Sequence, residues 1–425
     1  MMEYENYFEK TLNFISIYQE LIDCHLVDFI TEKLWNKCLP EKLKSELESI
    51  DTTDIWMENN TRPELSNFIQ LTRSLSLESC PAVICVDDLL KLLPQFPSKE
   101  QSIKNKFIES KSKFMNTKKS YEIDVLGKII AEMALSTHSL VIDAGAGKGY
   151  LSTYLSEHFD VPVLAIDSSH TCHKGAINRQ EKIQKRKQSL TKIRYVIQEL
   201  DETTDYNKIV NTNYPDWSVN RNLILTGLHT CGMLVHSVMK AFLHAKDIHL
   251  LFIVPCCYHL TDESLSGRWI FSKNARMLAQ QSIERSRHNK YFTPSLFYRA
   301  VLQVILHSMG YYNTKVGSGG PLDNFADYAK WALSKIGVDN KQVFITSKIP
   351  STRALQKIYQ SHIHFESKLH LFQTLRIYTS SVVEAAIMLD RIIFLQNNAQ
   401  HSKIAIVRLF DPTVSPRCYG IFMIK

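Results

Sequence analysis

Two short segments are unusually dense in side chains able to do chemistry: Thr226-Gly-Leu-His229-Thr-Cys231-Gly232 and Val254-Pro255-Cys256-Cys257-Tyr258-His259. Imidazole, thiol and phenol groups at this density suit several kinds of work. A Pro-Cys-Cys-Tyr rim can present a target nitrogen through backbone carbonyls and stack a ring on Tyr258. Cys256 or Cys257 can act as a nucleophile if its thiol pKa is lowered. His229, Cys231, Cys256, Cys257 and His259 are also the ligand types that zinc prefers. The adjacency of Cys256 and Cys257 is awkward for one ion, and no Cys-x-x-Cys pair is present, so no metal is expected. Small buried apolar thiols are the plainest alternative.

A second chemical signal lies upstream. Leu140-Val-Ile-Asp143-Ala-Gly145-Ala-Gly147-Lys-Gly149-Tyr150 runs an apolar strand into an acid, a glycine-rich turn and the start of a helix. Glycines admit a ligand close to the backbone, and the helix that follows offers free amides. A phosphate-binding loop would need Gly-Lys followed by Ser or Thr, but Lys148 is followed by Gly149 and Tyr150. A dinucleotide fingerprint would need a third glycine where Tyr150 stands. The pattern acid-x-Gly-x-Gly-x-Gly fits an S-adenosylmethionine pocket instead. Asp167, at the tip of the next apolar strand and 24 residues after Asp143, is the candidate to accept the ribose hydroxyls, with Ser168 beside it. Lys118, before the first core helix, is placed to reach the cofactor carboxylate or a substrate phosphate. The cofactor-binding set is therefore Lys118, Asp143, Gly145, Gly147, Gly149, Tyr150, Asp167 and Ser168, and the acceptor set is His229, Cys256, Cys257 and Tyr258.

These groups need a scaffold that brings them to one place. From about Tyr121 the sequence alternates helices with short, wholly apolar strands, at 139–143, 161–167, 193–198, 222–226 and 249–254. That rhythm predicts a parallel sheet covered by helices on both faces. Ligands then bind outside the carboxyl ends of the strands, where both the glycine loop and the Cys/His segments fall. Residues 1–110 read as a helical extension without strand-like alternation, with helices at Phe8 to Ile30 and Trp35 to Leu47. Residues 111–267 read as the core and 268–380 as a mostly helical insertion, with helices at 275–285, 296–309 and 325–336. Residues 381–425 read as a helix at 382–396 followed by a strand pair at 403–410 and 418–424.

Bulk properties bound the setting. At 425 residues, with 44% hydrophobic and 22% charged side chains, the chain is long enough for two or three packed units. Nine scattered cysteines, no secretory signal and no bilayer-length apolar run predict an intracellular, non-membrane protein, cytoplasmic or nuclear. The net charge of +7 suits an anionic partner. Lys174 to Arg194 carries eight basic residues against Glu181 alone, which reads either as a solvated helix face or as an RNA track.

On these residues the chain resembles the methyltransferase-like protein 25 family, which includes relatives named for a ribosomal RNA adenine dimethylase domain. The resemblance rests on Met115-Asn-Thr-Lys-Lys-Ser-Tyr-Glu122, the loop Asp143 to Ser152, Gly227-Leu-His-Thr-Cys-Gly232 and Cys256-Cys257-Tyr258. It extends to Ala275-Arg-Met-Leu-Ala279, Phe297-Tyr-Arg-Ala-Val-Leu-Gln303 and Ser415-Pro-Arg417. The chain departs from the family at Tyr121, where histidine is expected. The resemblance implies a class I Rossmann-like methyltransferase core, with the last hairpin as its antiparallel edge. No Asn-Leu-Pro-Tyr-like tetrapeptide follows the fourth core strand, so dimethyladenosine is not expected as the product. The function expected is S-adenosylmethionine-dependent methyl transfer to a macromolecule, RNA ahead of protein. A non-catalytic binding module of the same fold is the reading from another class.

Overall fold

The computed structural model describes residues 2–50, 54–56, 62–93, 116–187, 192–217, 222–288, 293–314, 319–339 and 349–425. Met115, the first half of the Gly317–Pro321 turn and residues 188–191 of the basic run lie outside them.

Apolar runs become strands: β1 Val83–Cys85, β2 Leu140–Ala144, β3 Val163–Asp167, β4 Ile193–Ile197, β5 Leu223–Thr230, β6 Ile248–Pro255, β7 Lys403–Arg408 and β8 Tyr419–Ile424. They form one sheet in the order β1-β7-β8-β6-β5-β2-β3-β4. Every neighbouring pair is parallel except β6–β8 and β7–β8. The central strands are mostly apolar because both faces are covered: Val141, Ile142, Ile224, Leu225, Leu251 and Phe252 are buried. From β2 the chain winds outward through β3 to β4, then returns to lay β5 on the other side of β2. The carboxyl ends of β2 and β5 therefore flank the crevice of a topological switch point.

Two expectations change here. The closing hairpin is not the edge of the sheet. β8 is wedged between β6 and β7, and β1 covers β7 as a further parallel strand. Second, the first 110 residues do contain a strand, since Val83–Cys85 pairs with Ile406–Arg408. Three residues are too few to display the alternation that marks a strand in sequence.

The chain clusters into two compact units. One comprises Met1–Leu12, Leu77–Phe271 and Glu384–Lys425 and contains the whole sheet. The other comprises Asn13–Ser76 and Ser272–Val383 and, in its described residues, is helical. Its core includes Phe29 against Phe372, with ring centroids 5.3 Å apart. The buried guanidinium of Arg376 there donates to the carbonyls of Leu21 and Ile22. Among the described residues no helix is long and apolar enough to cross a membrane, and all nine cysteines are free.

Candidate cofactor and acceptor site

The glycine loop leaves β2 with Gly145, Gly147 and Gly149 all at positive φ, a conformation that resists a side chain. A Cβ at Gly147 would meet nothing within 4 Å, so the loop backbone faces open space at that point. Across the strand ends Asp167 Oδ2 accepts the Gly147 amide at 2.8 Å, and Oδ1 accepts the Ser169 amide at 2.8 Å. Asp167 thus stands beside the open face with lone pairs left for hydroxyl donors, and Ser168 is exposed next to it. An open glycine turn with a carboxylate at its rim fits an adenosyl group.

Asp143 plays a different part. It is buried, and its Oδ2 accepts the Ser152 hydroxyl at 2.6 Å. Burial, reinforced by nearby Asp167 and only partly offset by Ser152, raises its pKa to about 6. It pins the loop to the helix Tyr150–Phe159 from below. Lys118 lies 3.5 Å from the Glu122 carboxylate. Tyr150 is covered by two cations: Lys119 Nζ lies 4.2 Å and Arg179 Cζ 4.0 Å from the ring centroid.

At the end of β5 a register shift between Leu228 and Thr230 leaves His229 in a bulge, at φ +66°. Bulges re-aim side chains, and a non-glycine residue in this region costs energy that its surroundings must offset. The partner responsible is Glu122, a carboxylate that belongs to neither candidate set. Glu122 is buried and accepts Ser415 Oγ at 2.5 Å, with His229 Nε2 at 3.1 Å. Burial alone would raise its pKa, but the hydrogen bonds from His229 and Ser415 outweigh it and hold the pKa below the usual value. An ionised Glu122 accepts Nε2–H, which leaves Nδ1 of His229 as the proton-accepting nitrogen. The spacing Glu122 to His229, 107 residues apart, left no local signal to find the pair by.

The three thiols converge. Cys231 Sγ lies 3.0 Å from Cys256 Sγ and 3.4 Å from Cys257 Sγ, and Cys256 and Cys257 are 3.5 Å apart. The adjacency that argued against a shared site does not separate the sulfurs. Hydrogen bonding from Cys256 draws the Cys231 pKa down to about 6 against the opposing effect of burial, and Cys256 is pushed up in return. Cys257 is raised by burial. The thiol with the lowered pKa is therefore Cys231, which lay outside the expected acceptor set.

Tyr258 cannot stack on an acceptor. Its ring is buried between Arg391 and Arg417, each 5.3 Å from the centroid, and its hydroxyl donates to Glu384 at 2.8 Å. The phenol anchors the chain after β6 rather than lining the mouth. The basic run also divides. Lys174, Lys182 and Lys185 are exposed on the helix His170–Lys187, which follows the carboxyl end of β3. Lys192 pairs with Asp160 and Arg194 lies over Tyr214, both at the opposite, amino-terminal strand ends.

Leaving aside the added β1, the sheet carries seven strands with the last inserted antiparallel between the fifth and sixth. With the glycine loop after the first of these and the acid after the second, this is a class I methyltransferase, an S-adenosylmethionine-dependent enzyme. A family model described as "Methyltransferase domain" matches residues 118–264. Over nearly its whole length the chain is similar to proteins named methyltransferase-like protein 25. It is 23% identical to the human protein named "Probable methyltransferase-like protein 25", over 97% of this chain and 96% of that one. The mouse protein of the same name is 22% identical over 97% and 95%. Among solved structures, coclaurine N-methyltransferase bound to N-methylheliamine and SAH aligns over 98% of this chain and 100% of that one, at 13% identity and a TM-score of 0.26.

Proposed function

We propose that the acceptor is a macromolecule and that it is RNA, ahead of protein. The observation that carries this reading is the crowding of like charge at the cofactor loop. Lys119 and Arg179 converge on Tyr150, and Arg179 is further hydrogen-bonded to the carbonyl of Lys148. Burial, then repulsion from Arg179, lowers the pKa of Lys119. Cations at the start of a helix oppose its dipole, and an anionic group bound there would relieve both conflicts. The exposed lysines 174, 182 and 185 extend the same charge along one helix. A phosphate backbone meets that arrangement.

In this reading Gly145, Gly147 and Gly149 shape the cofactor pocket, Asp167 and Ser168 take the ribose side, and Asp143 fixes the loop. The cofactor supplies an electrophilic methyl group on a sulfonium. The protein's task is to align the acceptor for in-line displacement and to remove its proton, since alignment supplies much of the rate. His229, oriented by Glu122, is the proton acceptor. Nine free cysteines suit a reducing intracellular compartment.

The test is transfer of labelled methyl from S-adenosylmethionine into extract from cells lacking the protein, with wild type and Gly147→Asp in parallel. Label that depends on Gly147 and is removed by nuclease is the expected result. Label removed by protease instead overturns the RNA assignment. Cofactor binding with no Gly147-dependent label in any fraction overturns the catalytic reading in favour of a binding module.

A further inference from the structure

We propose that Cys231, Cys256 and Cys257 hold one zinc ion as three thiolates, with a fourth, water-bound position open at the mouth formed by β5 and β6. Nothing in the methyl-transfer reading requires such an ion, and the inference does not depend on the acceptor being RNA.

The geometry is that of a ligand set. The three sulfurs are 3.0, 3.4 and 3.5 Å apart, which is closer than neutral thiols need to pack. A point about 2.3 Å from every sulfur, the usual zinc–sulfur distance, lies about 1.3 Å out of their plane. One ion therefore reaches all three in a pyramidal arrangement. A regular tetrahedral site would spread the sulfurs to about 3.8 Å, which widens the Cys257 separations by less than about half an ångström and the 3.0 Å Cys231–Cys256 separation by somewhat under one ångström.

The backbone explains how neighbours in sequence can share an ion. After β6 the chain turns at once, with the Tyr258 amide bonded to the Cys256 carbonyl at 2.9 Å and the Leu260 amide to that of Cys257 at 3.0 Å. This turn swings Cys257 to the same side as Cys256. Cys231 arrives from the parallel neighbour β5, where Thr230 is in register with Pro255. Two rigid strand ends therefore fix the set, one thiol from the first and two from the second.

The ion would be open rather than closed. Among the described residues no His, Asp or Glu joins the three cysteines in the group. Structural zinc sites take four protein ligands, and three ligands with one exchangeable position is the pattern of reactive sites. Exposure gives the open position its direction: Cys256 is buried, Cys257 half-buried and Cys231 exposed. Thiolates also select zinc over harder ions such as magnesium or calcium.

The experiment uses the full-length chain, without a histidine tag, purified under reducing conditions and passed briefly over chelating resin. Elemental analysis should find about one zinc per chain, and X-ray absorption should show three sulfurs at about 2.3 Å plus one lighter ligand. Cobalt exchanged into the wild-type protein should give thiolate charge-transfer bands with the visible spectrum of a tetrahedral ion. Cys257→Ser should lose most of the zinc while still binding S-adenosylmethionine, which reports an intact fold. Metal-free reduced protein that also fails to take up cobalt overturns the proposal. So does zinc content that Cys257→Ser and Cys231→Ser leave unchanged, or a Cys231–Cys256 disulfide found in protein alkylated at the moment of lysis. None of these outcomes bears on whether the enzyme methylates RNA.

Discussion

Asp143 is the residue whose protonation is tied most directly to the cofactor loop. Its pKa of about 6 lies above the ordinary value of 3.8 because the carboxylate is fully buried. A raised carboxylate pKa means the folded state holds the proton more tightly than the unfolded chain does. Its stabilising contribution is therefore full below pH 3.8 and is lost as pH rises through about 6. A sulfonium and an ammonium brought to the loop favour the ionised carboxylate instead. Cofactor affinity should rise as pH increases through about 6, with proton release on binding. Calorimetry at that pH in two buffers of different ionisation enthalpy reads the proton directly, and identical heats in both would sink the idea. Gly147 makes a contrasting case. Gly147→Ala meets no neighbour but must hold φ +56°, which costs about 1 kcal/mol. It should lower the melting temperature by only a few degrees while weakening cofactor binding at least tenfold, because the added carbon enters the open face. Both residues were legible in the sequence, since a strand, an acid and spaced glycines form one local pattern. Glu122 was not, because it acts through His229 and Ser415, both remote in the chain.

At the scale of elements, local chemistry predicts most strands and fails at instructive helices. The strands β2, β3, β5 and β6 are mostly apolar, with their acids or histidine concentrated towards the carboxyl ends in β2, β3 and β5, so their positions follow from composition. The helix expected from Trp35 to Leu47 is two, Leu34–Cys38 and Glu41–Leu47, because Pro40 cannot donate within a helix and stands at the start of the second. The last long helix runs Phe365–Asn398, far beyond its expected start at Val382. Just before that start, the hydroxyls of Thr379 and Ser381 bond back to the carbonyls of Arg376 and Tyr378 and so stay inside the helix. That helix also carries Asp390, which is buried and accepts Ser264 Oγ and the amides of Leu265 and Ser266 at 2.8–3.0 Å. Asp390→Ala would strand these donors and should cost about 3 kcal/mol of stability. Denaturant unfolding should show it as a lower midpoint at unchanged slope. A variant as stable as wild type would mean that the 264–266 loop takes its order from elsewhere.

At the scale of the molecule, the methyltransferase unit is assembled from three stretches of chain, 1–12, 77–271 and 384–425. Periodicity marks the elements of each stretch but carries nothing about which distant stretch completes the sheet, so neither the pairing of β1 nor the inner position of β8 is legible in it. The consequence is physical. The segment 116–271 contains the glycine loop, the thiols and β2 to β6, and it looks self-sufficient by motif. Without β8, however, β6 becomes an edge strand whose pairs Leu250–Ile424, Phe252–Phe422 and Ile253–Ile421 are gone. The Phe252 ring would lose its edge-on contact with Phe422, 5.9 Å away. A long, flat, apolar edge of this kind pairs with other chains. Expressed alone, 116–271 should be insoluble, or soluble without a cooperative melt, and should not bind S-adenosylmethionine. Co-expression with 384–425 should recover soluble protein if the strand pair is what is missing. Should 116–271 instead fold cooperatively and bind cofactor alone, the closing strands would be dispensable to the pocket, and the interleaving of the chain would need a reason other than completion of the sheet.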